Sequence, residues 1–311
     1  MPSPYGTFQG TLFQYSGTNL VAFESNPSSS KKIILLGGLS DGLIPTPYTK
    51  LIEEKAIDWS LVQPILSSSY LGFGMGDLDR DVEELSQLMR YLRVHHNAQH
   101  VALVGHSTGC QISVHLLLKR DLDSDIANLL RIVALQAPVS DREGTSQQDP
   151  KHYESNLQIA RTKIENGHGD EMMPRSSFWA PITAKRYWDL HAKGGMDDYF
   201  SSDWTDDEFM ERLGHVGQNS PNLQTILVAF SGADEYVPKN IDTKVLTQRL
   251  CDAMNHHRND MKSEDCDEQQ QQPLAIPLYL ATGNHNLSQS PGDAERFVDR
   301  FVELLQKLNE V

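Results

Sequence analysis

The chain has 311 residues, with 27 Lys and Arg against 42 Asp and Glu, and a formal net charge of −15. Such a charge repels nucleic-acid phosphates and anionic lipids, so the composition excludes a general nucleic-acid or membrane-surface binder. Hydrophobic residues make up 39% and charged residues 22%, which is typical of a globular protein with a sizeable core.

Eight short apolar runs predict β-strands. The first two lie close together across Ser16-Gly17-Thr18-Asn19, which predicts a hairpin. The runs at 33–36, 101–104 and 132–135 are almost entirely apolar, as expected of strands buried on both faces of a parallel sheet. In chain order the predicted strands are 11–15, 20–24, 33–36, 61–66, 101–104, 132–135, 225–230 and 276–281.

Amphipathic helices are predicted between several of these strands. Residues 79–94, 107–119 and 294–308 each carry apolar side chains about every 3.6 positions. The alternation of strands and helices indicates an α/β fold with a doubly wound, mostly parallel sheet.

Two segments interrupt this alternation. Residues 140–222 contain many aromatic and acidic residues but no convincing buried strand. We therefore predict a helical cap, or lid, inserted into a core formed by residues 1–139 and 223–311. Residues 255–272 are polar and low in complexity, and we predict a flexible surface loop without a chemical role.

The three cysteines, Cys110, Cys251 and Cys266, stand at unrelated spacings. They form neither a CxxC pair nor a Cys/His cluster, so we expect no disulfide framework, no metal site and no cofactor. The N-terminus lacks the basic and apolar segments of a secretion signal, and no apolar run is long enough to span a membrane. We expect a soluble protein of a reducing compartment, the cytoplasm.

The segment Gly105-His106-Ser107-Thr108-Gly109 joins a predicted strand to a predicted helix through a Gly-x-Ser-x-Gly motif. This turn needs small residues beside the serine, whose hydroxyl it presents at the carboxyl edge of the sheet. The helix N-terminus there favours developing negative charge. The motif predicts Ser107 as a nucleophile, and the alternative is a tight Gly-rich turn with an inert serine.

A nucleophilic serine needs a base, and the base needs an orienting acid. His285, in the loop after the last predicted strand, is our predicted base, and the alternative is a loop histidine that caps the next helix. Asp234, after the preceding strand in the chain, is the predicted acid. Glu235 competes with it, and an Asx turn is the alternative role for Asp234. The order Ser107, Asp234, His285 is that of α/β-hydrolases.

The loop after the third strand, residues 37–42, is the candidate oxyanion loop. Two N–H donors are needed where the tetrahedral oxygen will lie. We predict that the backbone N–H groups of Leu39 and Thr108 supply them, and the alternative for the glycines of this loop is a plain turn.

Residues 197–211 contain seven acids, no Lys or Arg, and aromatic residues between the acids. One interpretation is a solvated helix with a buried aromatic face. The other is an acidic rim that receives a cationic ligand. The second interpretation makes Asp197, Asp198, Trp204 and Asp207 candidate substrate-binding residues.

Eight stretches spread along the chain match one known family. They are LVAFE at 20–24, GGLSDGL at 37–43, WSLVQPILSSSYLGFGMGDLDRDVEEL at 59–85, VGHSTGCQ at 104–111, LQAPVSDRE at 135–143, DDYFSSD at 197–203, SGADEYVP at 231–238 and GNHNL at 283–287. With them the chain resembles a fungal and plant α/β-hydrolase family long catalogued only as a domain of unknown function. The long stretches are far more specific than Gly-x-Ser-x-Gly alone.

The resemblance implies an eight-stranded sheet and the triad Ser107, Asp234, His285. Fungal members of that family include esterases that open fusarinine-type ferric siderophores, which are hydroxamates with free primary amines. We therefore predict a cytoplasmic serine esterase that cleaves carboxylic esters of such a siderophore, with any iron belonging to the substrate. The alternatives are an acyl hydrolase for another small ester or thioester, and a ligand-binding relative without turnover.

Overall fold

The structure is a computed structural model that describes residues 5–17, 19–148, 150–260 and 272–308. Eight strands in these residues form one sheet. They are β1 (Thr11–Ser16), β2 (Leu20–Glu24), β3 (Lys31–Leu36), β4 (Ser60–Ile65), β5 (His100–His106), β6 (Leu130–Gln136), β7 (Thr225–Ser231) and β8 (Ala275–Leu280).

The strand order in space is β1-β2-β4-β3-β5-β6-β7-β8. Only the β1–β2 and β2–β4 pairs are antiparallel, and every pair from β4 to β8 is parallel. The predicted eight-stranded, mostly parallel sheet is therefore confirmed. Thr18, in the predicted hairpin turn between β1 and β2, lies outside the described residues.

Helices cover both faces of the sheet. They are α1 (Thr49–Lys55), α2 (Leu78–His95), α3 (Thr108–Leu118), α4 (Ser124–Ala127), α5 (Asp141–Gln148), α6 (Pro150–Glu165), α7 (Ala184–His191), α8 (Asp206–Leu213), α9 (Thr243–Asp260) and α10 (Pro291–Lys307). A 3-10 helix, Tyr70–Met75, precedes α2. No helix in the described ranges combines the length and apolarity needed to cross a membrane.

The apolar runs of the central strands follow from this layering. In β5, Val101 and Leu103 contribute to the core beneath α2, α3 and α9, whereas Ala102 and Val104 contribute to the core beneath α1 and α10. Successive side chains of a strand point to opposite faces, so a strand covered on both faces needs apolar residues at every position.

Between β6 and β7, the described residues form helices α5 to α8 and an isolated bridge between Met172 and Thr183. Helices α6 and α7 share a small apolar cluster of their own, with Ala160, Tyr187 and Leu190. A helical segment at this place is what a cap requires. The division of the chain into core and cap remains a prediction.

The prediction of a loop over residues 255–272 is wrong at its start. Helix α9 continues to Asp260, and its inner residues Leu250 and Met254 are buried in the core. Asn255 also pairs with the backbone of Ala275 through two hydrogen bonds of 2.9 Å. Tertiary contacts thus extend the helix into polar sequence. Residues 261–271, with Cys266, lie outside the described residues.

Candidate active site

Ser107 lies at the sharp turn between β5 and α3. Its φ of 53° places it in a backbone region that residues other than glycine rarely adopt. A Cβ at Gly105 would clash with the carbonyl oxygen of Gly109, and one at Gly109 would lie 2.5 Å from the carbonyl oxygen of Leu36. The two glycines of the motif are therefore sterically required, and the serine side chain is held at the carboxyl end of β5.

Asp234 and His285 form a hydrogen-bonded pair. Nδ1 of His285 lies 2.8 Å from Oδ2 and 3.0 Å from Oδ1 of Asp234, whose side chain is fully buried. The two residues follow the neighbouring parallel strands β7 and β8, which brings them together across 51 positions of sequence. Because Nδ1 is engaged by the carboxylate, Nε2 is left as the nitrogen that can accept a proton.

Glu235, the competing acid, contacts a different atom of His285. Its Oε2 accepts the backbone N–H of His285 at 2.9 Å. The ring of Tyr236 packs on the imidazole with a centroid distance of 4.6 Å and an interplanar angle of 70°. Asp234 therefore orients the imidazole, whereas Glu235 holds the backbone of the loop that carries it.

Gln136, at the end of β6, connects the serine turn to the histidine loop. Its carbonyl oxygen accepts the N–H of Ser107 at 3.1 Å, and its Nε2 donates to the carbonyl oxygen of His285 at 3.0 Å. Its Oε1 lies 2.9 Å from the hydroxyl of Tyr48 and 2.7 Å from Nδ1 of His106. Sequence analysis missed this residue, and the one available signal was a polar side chain that ends the apolar run LRIVALQ.

His106 is a neutral structural histidine within this network. Burial lowers its pKa to about 3, with a further contribution from the nearby His285. Its Nδ1–H donates to Gln136, and its ring centroid lies 4.9 Å from that of His285. Because His106 stays neutral, it does not oppose a positive charge that forms on His285.

The serine and histidine face a cavity of about 790 Å³, a size common for small-molecule sites. Ser107, His285 and Leu39 line it on the side of the sheet. The segment between β6 and β7 supplies the other side, which includes Asp141, Ser177, Phe178, Trp179 and His191. A ligand in this cavity would contact both parts of the chain.

Asp141 is a second cavity residue that sequence analysis did not single out. Burial, together with a smaller contribution from the neighbouring carboxylate of Asp197, raises the pKa of its carboxyl group to about 7. Gln111 donates from Nε2 to its Oδ2 at 3.1 Å. No pattern in the sequence separates this aspartate from the many surface acids, because its environment depends on the folded packing.

The two amides predicted for the oxyanion hole lie next to Ser107. Gly38 packs so closely that a Cβ there would lie 2.8 Å from Cβ of Ser107. Thr108 is the first residue of α3, where backbone N–H groups lack intrahelical acceptors. Within the described residues, neither the Leu39 nor the Thr108 N–H donates a hydrogen bond. Both residues also line a recess of about 30 Å³ beside the main cavity.

The acids predicted to bind substrate are engaged in structural contacts instead. Asp197 forms an ion pair with Arg186 at 2.6 Å, and Asp198 forms one with Arg142 at 3.2 Å. All four of these side chains are almost entirely buried. Trp204 is also buried and donates from Nε1 to the backbone oxygen of Asp198 at 3.2 Å. These contacts engage the acids within the protein and hold the segment together.

Asp207 is exposed in the first turn of α8, where the helix dipole favours acidic side chains. Among the described residues that line the cavity, none is Asp197, Asp198, Trp204 or Asp207. The structure therefore does not support the prediction of a substrate-binding acidic rim. Arginines outside residues 197–211 neutralise the buried acids, and the buried Phe209 fits the alternative of a helix with an aromatic inner face.

Asp197→Ala should destabilise the fold by about 3–5 kcal/mol, because it leaves the buried guanidinium of Arg186 without its partner. The free energy of unfolding in urea measures this effect. Asp207→Ala, at an exposed acid of the same segment, is the matched control and should change stability by no more than about 0.5 kcal/mol. If the Asp197→Ala variant had normal stability and a raised KM, Asp197 would instead be a substrate-binding residue.

The described residues contain no group of three or more His, Cys, Asp or Glu side chains arranged to hold a metal ion. Cys110 and Cys251 are both buried and free of disulfide bonds.

Comparisons with known proteins place these features in context. A family model described as a protein of unknown function matches residues 1–267. A UPF0613 protein of Schizosaccharomyces pombe is 32% identical over 253 residues, which covers 76% of this chain and 78% of that protein. The fusarinine C esterase sidJ of Aspergillus fumigatus is 28% identical over 303 residues, which covers 82% of this chain and 85% of that protein.

Among solved structures, the siderophore hydrolase EstB from Aspergillus fumigatus superposes with a TM-score of 0.78 at 25% sequence identity. The match covers 99% of this chain and 100% of that one. Together with the strand order and the serine turn, this similarity identifies an α/β-hydrolase fold.

Proposed function

The chain belongs to the DUF1749 family, and from this premise we propose that it is a serine esterase that hydrolyses carboxylic esters. The observation that carries the proposal is the arrangement around the cavity. A serine on a strained strand-to-helix turn and a histidine paired with a buried aspartate line the same space. Relatives named esterase and siderophore hydrolase support the same reaction class.

In the proposed mechanism, Oγ of Ser107 attacks the ester carbonyl while Nε2 of His285 takes its proton. Asp234 holds the imidazole in the tautomer that leaves Nε2 free and stabilises the imidazolium that forms. The N–H groups of Leu39 and Thr108 stabilise the oxyanion. His285 then gives its proton to the leaving alkoxide, which produces an acyl-enzyme.

Deacylation repeats these steps with water as the nucleophile. His285 takes a proton from the water as it attacks the acyl carbonyl, and the second tetrahedral intermediate collapses to the free acid. The proton returns to Oγ of Ser107, so the enzyme is regenerated. The reaction needs water alone as the second substrate.

The substrate we propose is an ester bond of a ferric hydroxamate siderophore of the fusarinine type, cleaved in the cytoplasm to release its iron. The names of the two Aspergillus fumigatus relatives support this substrate class. The half-exposed rings of Trp179 and Tyr236, which line the cavity, offer apolar surface for a bulky ligand. Iron would enter the cavity with the substrate and leave it with the cleaved product.

The test begins with a fluorophosphonate probe, which reacts with an activated serine. We expect labelling of the wild-type protein and none of the Ser107→Ala variant. Hydrolysis of a ferric fusarinine-type siderophore is then compared with hydrolysis of simple aryl esters and thioesters. Faster turnover of an unrelated ester would contradict the proposed siderophore substrate. Absence of labelling of the wild-type protein would indicate a ligand-binding protein without turnover.

A further inference from the structure

Asp41, in the loop of residues 37–42, is a carboxyl group that the proposed mechanism does not use. Its Oδ2 accepts the N–H of Gly38 at 2.7 Å, and its own N–H donates to the carbonyl oxygen of Gly38 at 3.0 Å. Two reciprocal hydrogen bonds therefore hold Gly38 from both sides. The carbonyl of Asp41 in turn accepts the N–H of Tyr70 at 3.0 Å, which attaches the loop to the 3-10 helix.

These bonds determine where the Leu39 N–H points. The carbonyl of Gly38 and the N–H of Leu39 belong to one planar trans peptide, in which C=O and N–H point in opposite directions. Because the backbone N–H of Asp41 holds that carbonyl, the Leu39 N–H is directed to the opposite side. The carboxyl group of Asp41 holds the preceding Gly37–Gly38 peptide through the N–H of Gly38. Its loss would remove one of the two anchors of Gly38, so that rotation about this glycine could displace the Leu39 N–H.

The same carboxyl group lies close to the nucleophile. A Cβ built on Gly38 would be 3.3 Å from Oδ2 of Asp41 and also 3.3 Å from Oγ of Ser107. An ionised carboxylate beside Gly38 would repel the negative charge of the tetrahedral intermediate. Burial raises the pKa of Asp41. Because a negative charge here would oppose the oxyanion, the property of Asp41 that can assist the reaction is its hydrogen-bond acceptor.

We propose that Asp41 is a positioning residue, whose carboxyl oxygen holds the N–H of Gly38 and so keeps this glycine in the conformation in which the Leu39 N–H points at the oxyanion. The inference rests on the proposed esterase function. It requires an acceptor at the end of the side chain, and it requires no charge there. Asparagine supplies that acceptor, whereas alanine does not.

The experiment compares Asp41→Ala with Asp41→Asn on a small neutral aryl ester. Asp41→Ala should lower kcat roughly 10- to 100-fold with little change in KM, because complete removal of an oxyanion donor costs about 100- to 1,000-fold. Asp41→Asn should restore kcat to near the wild-type value. If both variants kept wild-type kcat, or if Asp41→Asn lost as much as Asp41→Ala, the inference would be overturned.

The affinity for a trifluoromethyl ketone distinguishes positioning of the oxyanion donor from a purely structural role of Asp41. The ketone adds to the serine as a tetrahedral oxyanion, so its affinity should fall in Asp41→Ala by the same factor as kcat/KM and recover in Asp41→Asn. Asp242→Ala is the matched control. It removes a carboxylate that accepts two backbone N–H groups at 3.0 Å, but Asp242 does not line the cavity.

The outcomes distinguish failure of the proposed esterase function from failure of the inference about Asp41. A wild-type protein that neither hydrolyses the ester nor binds the ketone would overturn the proposed function, and this inference with it. A wild-type protein that binds the ketone while Asp41→Ala binds it equally well would overturn this inference alone. If Asp41→Ala fails to fold, the Asp41→Asn variant still tests the inference. A loss of kcat beyond about tenfold in Asp41→Asn would contradict a role that needs only a hydrogen-bond acceptor.

Discussion

Ser107→Ala is expected to lower kcat for ester hydrolysis by at least about a thousandfold, with residual rate left to substrate binding and the oxyanion donors. The change removes the attacking oxygen and keeps the Cβ, so the unusual backbone of the turn is unaltered. Urea unfolding should therefore give a stability close to that of the wild-type protein. The measurement is kcat on an aryl ester, followed at saturating substrate.

Ser140→Ala is a suitable control for this experiment, because Ser140 also lines the cavity. Its hydroxyl lies 2.6 Å from Oγ of Ser201 and accepts the N–H of Glu143, so it is held by the protein and is not presented to a substrate. We expect this variant to keep most of its activity. A Ser107→Ala protein with more than about a tenth of wild-type kcat would remove Ser107 as the nucleophile.

Asp234→Asn should lower kcat by roughly 10,000-fold. An asparagine amide can donate to Nδ1 of His285 and so stabilises the tautomer in which Nε2 carries the proton, which cannot then accept one from the serine. The shape of the side chain is kept, so substrate binding should change little. Steady-state kinetics with a neutral ester measure the effect on kcat and on KM separately.

Glu235→Gln is the matched control, since it alters the neighbouring acid in the same loop. The glutamine oxygen can still accept the backbone N–H of His285, which is the contact that Glu235 makes. The loss in kcat should therefore be far smaller than for Asp234→Asn. The opposite ranking of these two variants would make Glu235 the acid that orients the imidazole.

The local character of the signals explains how much of the fold was predictable. Strands buried on both faces must be apolar throughout, so β3, β5 and β6 were visible as unbroken apolar runs. The turn at Ser107 was equally visible, because its two glycines have no room for a Cβ. Parallel strands gather their carboxyl ends at one edge, and for this reason the loops that carry Asp234 and His285 could be expected to lie together.

Contacts between distant segments of the chain could not be predicted from these local signals. The acids at 197–211 looked unpaired because their partners, Arg142 and Arg186, lie elsewhere in the chain. Helix α9 continued into polar sequence because its inner face meets the core. Neither fact leaves a periodic or compositional trace in the segment concerned.

The sequence by itself determined the mostly parallel α/β sheet and the candidate residues Ser107, Asp234 and His285, since these depend on local periodicity, on steric limits at the turn and on chain order. Only the tertiary structure decided which acid contacts the imidazole, that Gln136 joins the serine and histidine loops, and that the carboxyl group of Asp41 holds the N–H of Gly38. Hydrogen bonds and ion pairs require atoms within about 3 Å of each other, and such proximity between distant segments arises only when the whole chain packs.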